Sequence, residues 1–218
     1  MAKAPVIEIA QMRHAFKAAV TGQTPARDVA LLHVLYGTGM TATEVAQLEV
    51  ADVLDESGAF RRRSEVRSAI SFNGRVRPVF WSNPKLCAAL DAYFTERVKL
   101  GQGVTAWRSL WRSLVQLGPV FLTSDGRPFT LTTRKTSAGN TSRSCESLTQ
   151  VIRKLHDQAG IEGAGATSTR RTFGVRLHRA GYNLRDIREA LGLATLSAAK
   201  ALCDGDPVDL ARIVAKVI

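Results

Sequence analysis

Apolar residues recur at helical spacing through most of the chain, and this pattern divides it into elements before any composition is considered. Residues 5–21 place Ile7, Ile9, Met12, Phe16 and Val20 along one helical stripe, which predicts a first helix packed through that stripe. Thr24-Pro25 opens a second helix in which Val29, Leu31, Leu32, Val34 and Leu35 are apolar on nearly every side, so it is predicted to be buried. Gly37 and Gly39 end it. Thr41-Ala42-Thr43-Glu44 then supplies a capping box for a third helix carrying Val45 and Leu48.

From Val53 to Val79 the period changes. Two β-type stretches, Glu65 to Phe72 and Val76 to Trp81, flank Asn73-Gly74, the strongest short hairpin signal, and predict a β-hairpin turning at that pair. Its arms and approach carry Arg61, Arg62, Arg63, Arg67, Arg75 and Arg77 against Glu65 alone, which predicts one strongly positive side. Pro84 opens a helix through Leu86, Leu90, Tyr93, Phe94 and Val98. Trp107 and Trp111, four residues apart, read as a packing stripe on a short helix; with Arg108 and Arg112 beside them they also suit contact with nucleic acid. Val120-Phe121-Leu122 reads as a short buried strand ended by the Ser124-Asp125-Gly126 turn. The stretch from Thr132 to Ser147 is rich in Ser, Thr, Gly and Asn with Arg134, Lys135 and Arg143 inside it, and predicts a loop able to order on a phosphate backbone. Helical patterns resume at 148–158, 167–180 and 184–191, and the tail carries an apolar stripe through Val208, Leu210, Ile213, Val214 and Val217.

Charge sharpens this picture. The 218 residues hold 30 Lys+Arg against 19 Asp+Glu, a formal charge of +11, and such a field attracts polyanions, nucleic acid first among them. A merely basic, solvated surface is the alternative on charge alone. With 45% hydrophobic and 22% charged residues the composition is that of an ordinary globular domain, and the N-terminal stretch has no secretory signal pattern; both point to a soluble, cytoplasmic protein. Cys87, Cys145 and Cys203 lie in unrelated segments without metal-ligand spacing, so neither a metal nor a cofactor is expected.

Two distant stretches carry a resemblance. Arg27-Asp28-Val29-Ala30-Leu31-Leu32, running into Gly37-Thr38-Gly39-Met40-Thr41-Ala42-Thr43-Glu44-Val45-Ala46-Gln47-Leu48, resembles the front box of the tyrosine recombinases (phage integrases), where a buried helix meets a Thr-Gly-Leu-Arg turn. Thr167 to Gly181 and then Asn183 to Leu202 resemble the rear box, His-x-Leu-Arg-His-Thr-Phe-Ala followed by Leu-Gly-His and the nucleophilic tyrosine. Arg170, Thr172, Phe173, Leu177, Gly181, Leu191, Gly192, Leu196 and Ser197 match it. The resemblance covers nearly the whole chain. It implies a mainly α fold with a small antiparallel β-sheet, the α+β catalytic-domain fold of that family, as a single domain over residues 1–218 without the separate N-terminal DNA-clamping domain.

The family's chemistry makes the substitutions informative. A tyrosine attacks a DNA phosphate, two arginines neutralise the non-bridging oxygens, a histidine or lysine assists, and a hairpin lysine protonates the leaving oxygen. Aligned on the two boxes, Thr41 stands at the first arginine, Thr167 and Leu193 at the histidines, and Leu202 at the tyrosine, and the hairpin turn has no lysine. Only Arg170 is retained, now followed by Arg171. Thr41 offers one neutral donor where the family has a charged fork. A shifted alignment would present the Cys203 thiol as nucleophile, still without its cooperating groups.

The resemblance with these substitutions implies a protein that binds double-stranded DNA without strand transfer, an accessory or regulator of recombination. Arg67, Arg75, Arg77, Arg134, Lys135, Arg143, Arg170 and Arg171 are the expected phosphate contacts. Two other readings stay open: an active integrase with relocated groups at Cys203 or Tyr182, and a protein–protein module that no longer binds DNA. Residues 203–218 form a candidate docking tail, serving self-association, pairing with an active recombinase, or folding back on the core.

Overall fold

The computed structural model describes residues 3–107, 109–135 and 141–204. Helix α2 (Pro25–Thr38) is the centre, packed against α1 (Ile9–Val20), α5 (Pro84–Lys99) and α7 (Ala166–Arg179). Its burial follows from its sequence: Leu31, Leu32, Val34 and Leu35 are fully enclosed, each stabilising the fold by about 1.5–3 kcal/mol through burial. The two charges at its start do not contradict this. Arg27 and Asp28 pair with each other at 2.7 Å, and Thr24 Oγ1 donates to the same carboxylate at 2.9 Å. Gly39 ends the helix at φ +62, where a Cβ would stand 2.6 Å from both Leu191 Cδ2 and Phe173 Cδ1. Only glycine fits there.

Helix α1 buries only part of its predicted stripe. Met12 and Phe16 pack against the core, Phe16 on His33 of α2, but the fully buried residues are Ala15 and Ala19, whereas Ile9 is 57% and Val20 61% exposed. Ile7, just before the helix, is buried, and its backbone NH donates to Thr172 Oγ1 of α7 at 2.9 Å. After Gly39, Thr41 caps α3 (Ala42–Ala46) in the predicted capping box: Glu44 N donates to Thr41 Oγ1 at 3.2 Å and Thr41 N to Glu44 Oε2 at 2.8 Å. The short α4 (Val50–Val53) follows.

The predicted hairpin exists, with a different turn. Strand β1 (Arg63–Val66) pairs antiparallel with β2 (Arg77–Phe80), Val66 opposite Arg77. Asn73-Gly74 therefore lies inside a ten-residue connection, not between adjacent strand residues. Two long-range attractions produce this: Ile70 drops into the core at 7% exposure, and Asn73 Nδ2 donates to the carbonyl of Gly192 at 2.8 Å. The positive side is also reduced, since Arg77 faces inward at 2% exposure.

Trp107 and Trp111 do not form a stripe. Trp111 is buried while Trp107 is 73% exposed, and Trp111, Arg112 and Ser113 form a turn with φ of 52, 54 and 65°. Such left-handed backbone costs about 1–2 kcal/mol per residue. It is held by Arg112, whose Nε donates to the Gly58 carbonyl at 2.6 Å, whose guanidinium stacks on Phe60 at 4.7 Å and pairs with Asp91. Val120-Phe121-Leu122 is buried as expected but runs as irregular chain joined by single bridges, Glu49 to Pro119 and Leu122 to Pro128.

The segment read as a loop carries a second β-ribbon, β3 (Thr132–Lys135) antiparallel to β4 (Thr141–Ser144), every residue of which is exposed. Its polar side chains and lack of a buried face explain why no period-2 hydrophobic signal marks it. Helices α6 (Glu146–Gln158), α7 and α8 (Leu184–Leu191) lie at nearly the predicted bounds, and α9 (Leu196–Cys203), which the sequence pattern did not mark, completes the fold. A second, smaller core of Ile187, Leu191, Ala199 and Cys203 joins the last three. Among the described residues no helix is long and apolar enough to cross a membrane. Arg108 and all of the docking tail beyond Asp204 lie outside the described residues.

Candidate nucleic-acid interface

Thr41 stands where two clefts meet. One, of about 550 Å³, lies between the start of α3, the 67–76 connection and the second ribbon, and is lined by Thr41, Thr43, Gln47, Ser71, Phe72 and Arg143. The other, of about 760 Å³, lies between α6 and the start of α7, and its polar lining is Thr41, Thr149, Arg153, Asp157, Thr167, Ser168 and Arg170. The second cleft thus joins three positions from distant parts of the sequence that the family alignment had grouped. Its hydroxyls and guanidinium groups are hydrogen-bond donors suited to phosphate oxygens. Thr149, Arg153 and Asp157 were not anticipated, although their spacing of four residues places them on one face of α6 away from buried Leu148, Ile152 and Leu155.

The other two aligned positions serve packing. Leu193 and Leu202 pack against the second core, and Leu202 Cδ2 lies where a Cβ on Gly174 would be only 2.5 Å away. Aliphatic side chains there can neither transfer a proton nor attack phosphorus. Cys203 belongs to the same core, 3% exposed, with Sγ near the Gly174 carbonyl, and Tyr182 is exposed in the turn between α7 and α8.

The expected cations do not converge on one point. Arg170 lines the second cleft but is 8% exposed, and its Nη1 and Nη2 donate to the carbonyls of Gly39 and Leu191, both at 2.6 Å, with Phe72 stacked on it at 4.6 Å. Burial lowers its pKa to about 10, opposed by nearby Glu44, so it stays charged at neutral pH. Arg77 lies deeper, pairing with Glu44 Oε2 at 3.1 Å, and its own pKa is likewise lowered by burial and raised by that carboxylate. Arg171 turns away from the clefts and donates to the carbonyls of Ala4, Leu202 and Asp204. Arg67 bridges Glu49 and Asp52, each at 3.0 Å.

The remaining four face solvent. Arg75 is exposed on the 67–76 connection, and Arg134, Lys135 and Arg143 are exposed on the ribbon. The register puts Arg143 opposite Thr133, so Arg143 and Lys135 share one face of the ribbon and Arg134 takes the other. Arg143 Nη1 also reaches the Ala69 carbonyl at 3.3 Å, which holds the ribbon beside the first cleft. Sequence reading also overlooked Glu44 as a brace for Arg77; the capping box accounted for that residue already. Among the described residues no cluster of three His, Cys, Asp or Glu is placed to hold a metal ion.

No profile of a known protein family matches the chain. Over 172 residues, 78% of its length, it is 29% identical to the tyrosine recombinase XerC of Roseiflexus castenholzii. That stretch is 45% of the relative, so the chain spans less than half the length of the curated protein it resembles. Among solved structures, the XerA recombinase superposes with a TM-score of 0.69 at 19% identity, covering 99% of this chain and 66% of that one. The Tn1549 transposon integrase in complex with transposon right end DNA gives 0.61 at 16% identity, covering 99% and 66%. A lambda integrase dimer bound to a core site gives 0.60 at 10% identity, covering 95% and 62%. The helical body, the two ribbons and the order of the two boxes agree with these likenesses: the chain has the catalytic-domain fold of the tyrosine recombinases.

Proposed function

We propose that this protein is a DNA-binding member of the recombination machinery that holds duplex DNA through its phosphate backbone and does not cut it, acting as an accessory or regulator in recombination or integration of a mobile element. One observation carries this reading: the positions aligned with the reacting groups hold Thr41, Thr167, Leu193 and Leu202, and the retained Arg170 has both terminal nitrogens on backbone carbonyls. The scaffold and its cationic surface are kept while the nucleophile and proton donors are absent from those positions. Losing one charged donor to the transition state costs about 2.7–4 kcal/mol, and here several are replaced together.

Phosphate contact on this reading comes from Arg75, Arg134, Lys135 and Arg143 on the surface, with Arg153 and the hydroxyls of Thr41 and Thr167 in the second cleft. The DNA-bound states of the Tn1549 and lambda integrases support duplex DNA as the partner. Incubation with a nicked suicide DNA substrate tests the proposal. The expected result is a non-covalent complex whose affinity falls steeply with salt; a covalent protein–DNA band overturns the absence of cutting, and salt-independent or absent binding overturns the DNA role.

A further inference from the structure

Part of the apolar stripe that the sequence assigns to the core stays open to solvent, with Ile9 exposed and Met12 and Phe16 only half-buried against the core. Ile9, Met12, Phe16 and Val20 fall within an arc of about 80° on α1, beside the fully buried Ala15 and Ala19. The first three line a cleft of about 720 Å³ between α1 and the start of α5, with Leu86 among its walls. That volume lies within the range of about 300–1,000 Å³ found for ligand-binding clefts. Phe16 packs on His33 of α2, their ring centroids 4.4 Å apart, and both line the cleft. No residue lining this cleft lines either cleft beside Thr41.

The rim carries one sign of charge. Arg13, Lys85 and Arg176 border the cleft, all three exposed, and no carboxylate lines it. Arg176 Nη1 donates to the Met12 sulfur at 3.6 Å, and none of the residues lining the cleft is a carboxylate that would pair with it. An occupant must therefore be apolar along its centre and anionic along its edges. Duplex DNA supplies the anions without the apolar face. A second copy of this chain, at net charge +11, meets the cationic rim with like charge.

We propose that the cleft between α1 and α5 docks an acidic amphipathic helix of a partner protein, with aliphatic side chains against Ile9, Met12 and Phe16 and carboxylates on Arg13 and Lys85. Two roughly facing helices leave a trough that side chains at i, i+3, i+4 and i+7 of a third can fill. This inference stands apart from the DNA reading, because the surfaces are distinct.

The test uses the full chain and three fluorescein-labelled peptides of about 18 residues, about five helical turns. One has leucines on a single helical face and glutamates elsewhere; the second has the same composition with the leucines dispersed; the third has lysines in place of the glutamates. Fluorescence anisotropy is expected to show the first binding at least about tenfold tighter than either control, as an interface with a desolvated apolar centre requires. Ile9→Glu and Lys85→Glu, both at exposed positions, are each expected to weaken it by about tenfold or more, while leaving duplex binding and the thermal transition unchanged. Equal binding of all three peptides, or indifference to both variants, overturns the proposal. Displacement of the peptide by single-stranded or duplex oligonucleotide overturns it in favour of a nucleic-acid groove.

Discussion

Arg77 and Arg170 bridge the same two helix ends one residue apart: Arg77 Nη1 donates to the carbonyls of Thr38 and Ala190 at 3.2 and 3.0 Å, and Arg170 to those of Gly39 and Leu191 at 2.6 Å. The C-terminal ends of α2 and α8 expose carbonyls with no partner inside their own helices, and carry partial negative charge. The two guanidinium groups satisfy them and tie the front box to the rear box.

Because Glu44 and Arg77 are both buried, removing one leaves an uncompensated charge. Arg77→Met is expected to lower stability by about 3–5 kcal/mol, and adding Glu44→Gln to it should restore part of the loss. Urea unfolding midpoints of the two single variants and the double variant measure this. Additive losses would refute the coupling.

Arg170→Lys keeps the charge but cannot reach both carbonyls. A loss of about 1–3 kcal/mol is expected, with a lower thermal midpoint in the absence of DNA. If Arg170 serves phosphate alone, the free protein will melt unchanged.

The ribbon gives the opposite result. Arg143→Ala and Lys135→Ala remove exposed cations and should leave the thermal transition in place. Each is expected to reduce the slope of log affinity against log salt for duplex DNA by about 1. An unaltered slope in both would take the ribbon out of the DNA interface.

Acid should weaken the fold through its buried imidazoles. Burial lowers the pKa of His156, opposed by the Ile152 carbonyl and Asp157, and burial with nearby Lys85 lowers that of His33, both from 6.5. The folded state therefore resists protonation while the unfolded chain accepts it. Stability is full above pH 6.5 and declines as pH falls from there towards the lowered folded values, below which this contribution is lost. His156, whose Nε2 meets Tyr36 OH at 2.8 Å, can add at most about 1.4 kcal/mol per pH unit to that decline. His156→Gln should flatten the dependence; the same slope in the variant would assign it elsewhere.

Local signals found the local structure. The Thr41–Glu44 box, Pro84 at the start of α5 and the glycine that ends α2 each act within a few residues, and the helices they bound lie close to their predicted limits. Errors arose where distant partners decided. Glu49 and Asp52 draw Arg67 off the strand, and the first arm of the hairpin ends at Val66, well short of the Phe72 its Asn-Gly pair implied. α1 fully buries Ala15 and Ala19 beside its apolar stripe and leaves Ile9 and Val20 exposed, an outcome set by the neighbouring helices and invisible in α1 itself. Of the phosphate residues expected from the sequence, exposure separates Arg75, Arg134, Lys135 and Arg143 from Arg77 and Arg170, and sequence carries no sign of burial for a lone arginine.

Arg171 gives the fold an unusual closure. Its guanidinium donates to Ala4 near one end of the described chain and to Leu202 and Asp204 near the other. Terminal segments ordinarily fray independently, each at little cost. Here Arg171 ties both segments to α7 and Lys3 Nζ donates to the Asp204 carbonyl at 2.9 Å, so the first and last described segments are held to one helix and to each other, and fraying of either costs hydrogen bonds that join the two.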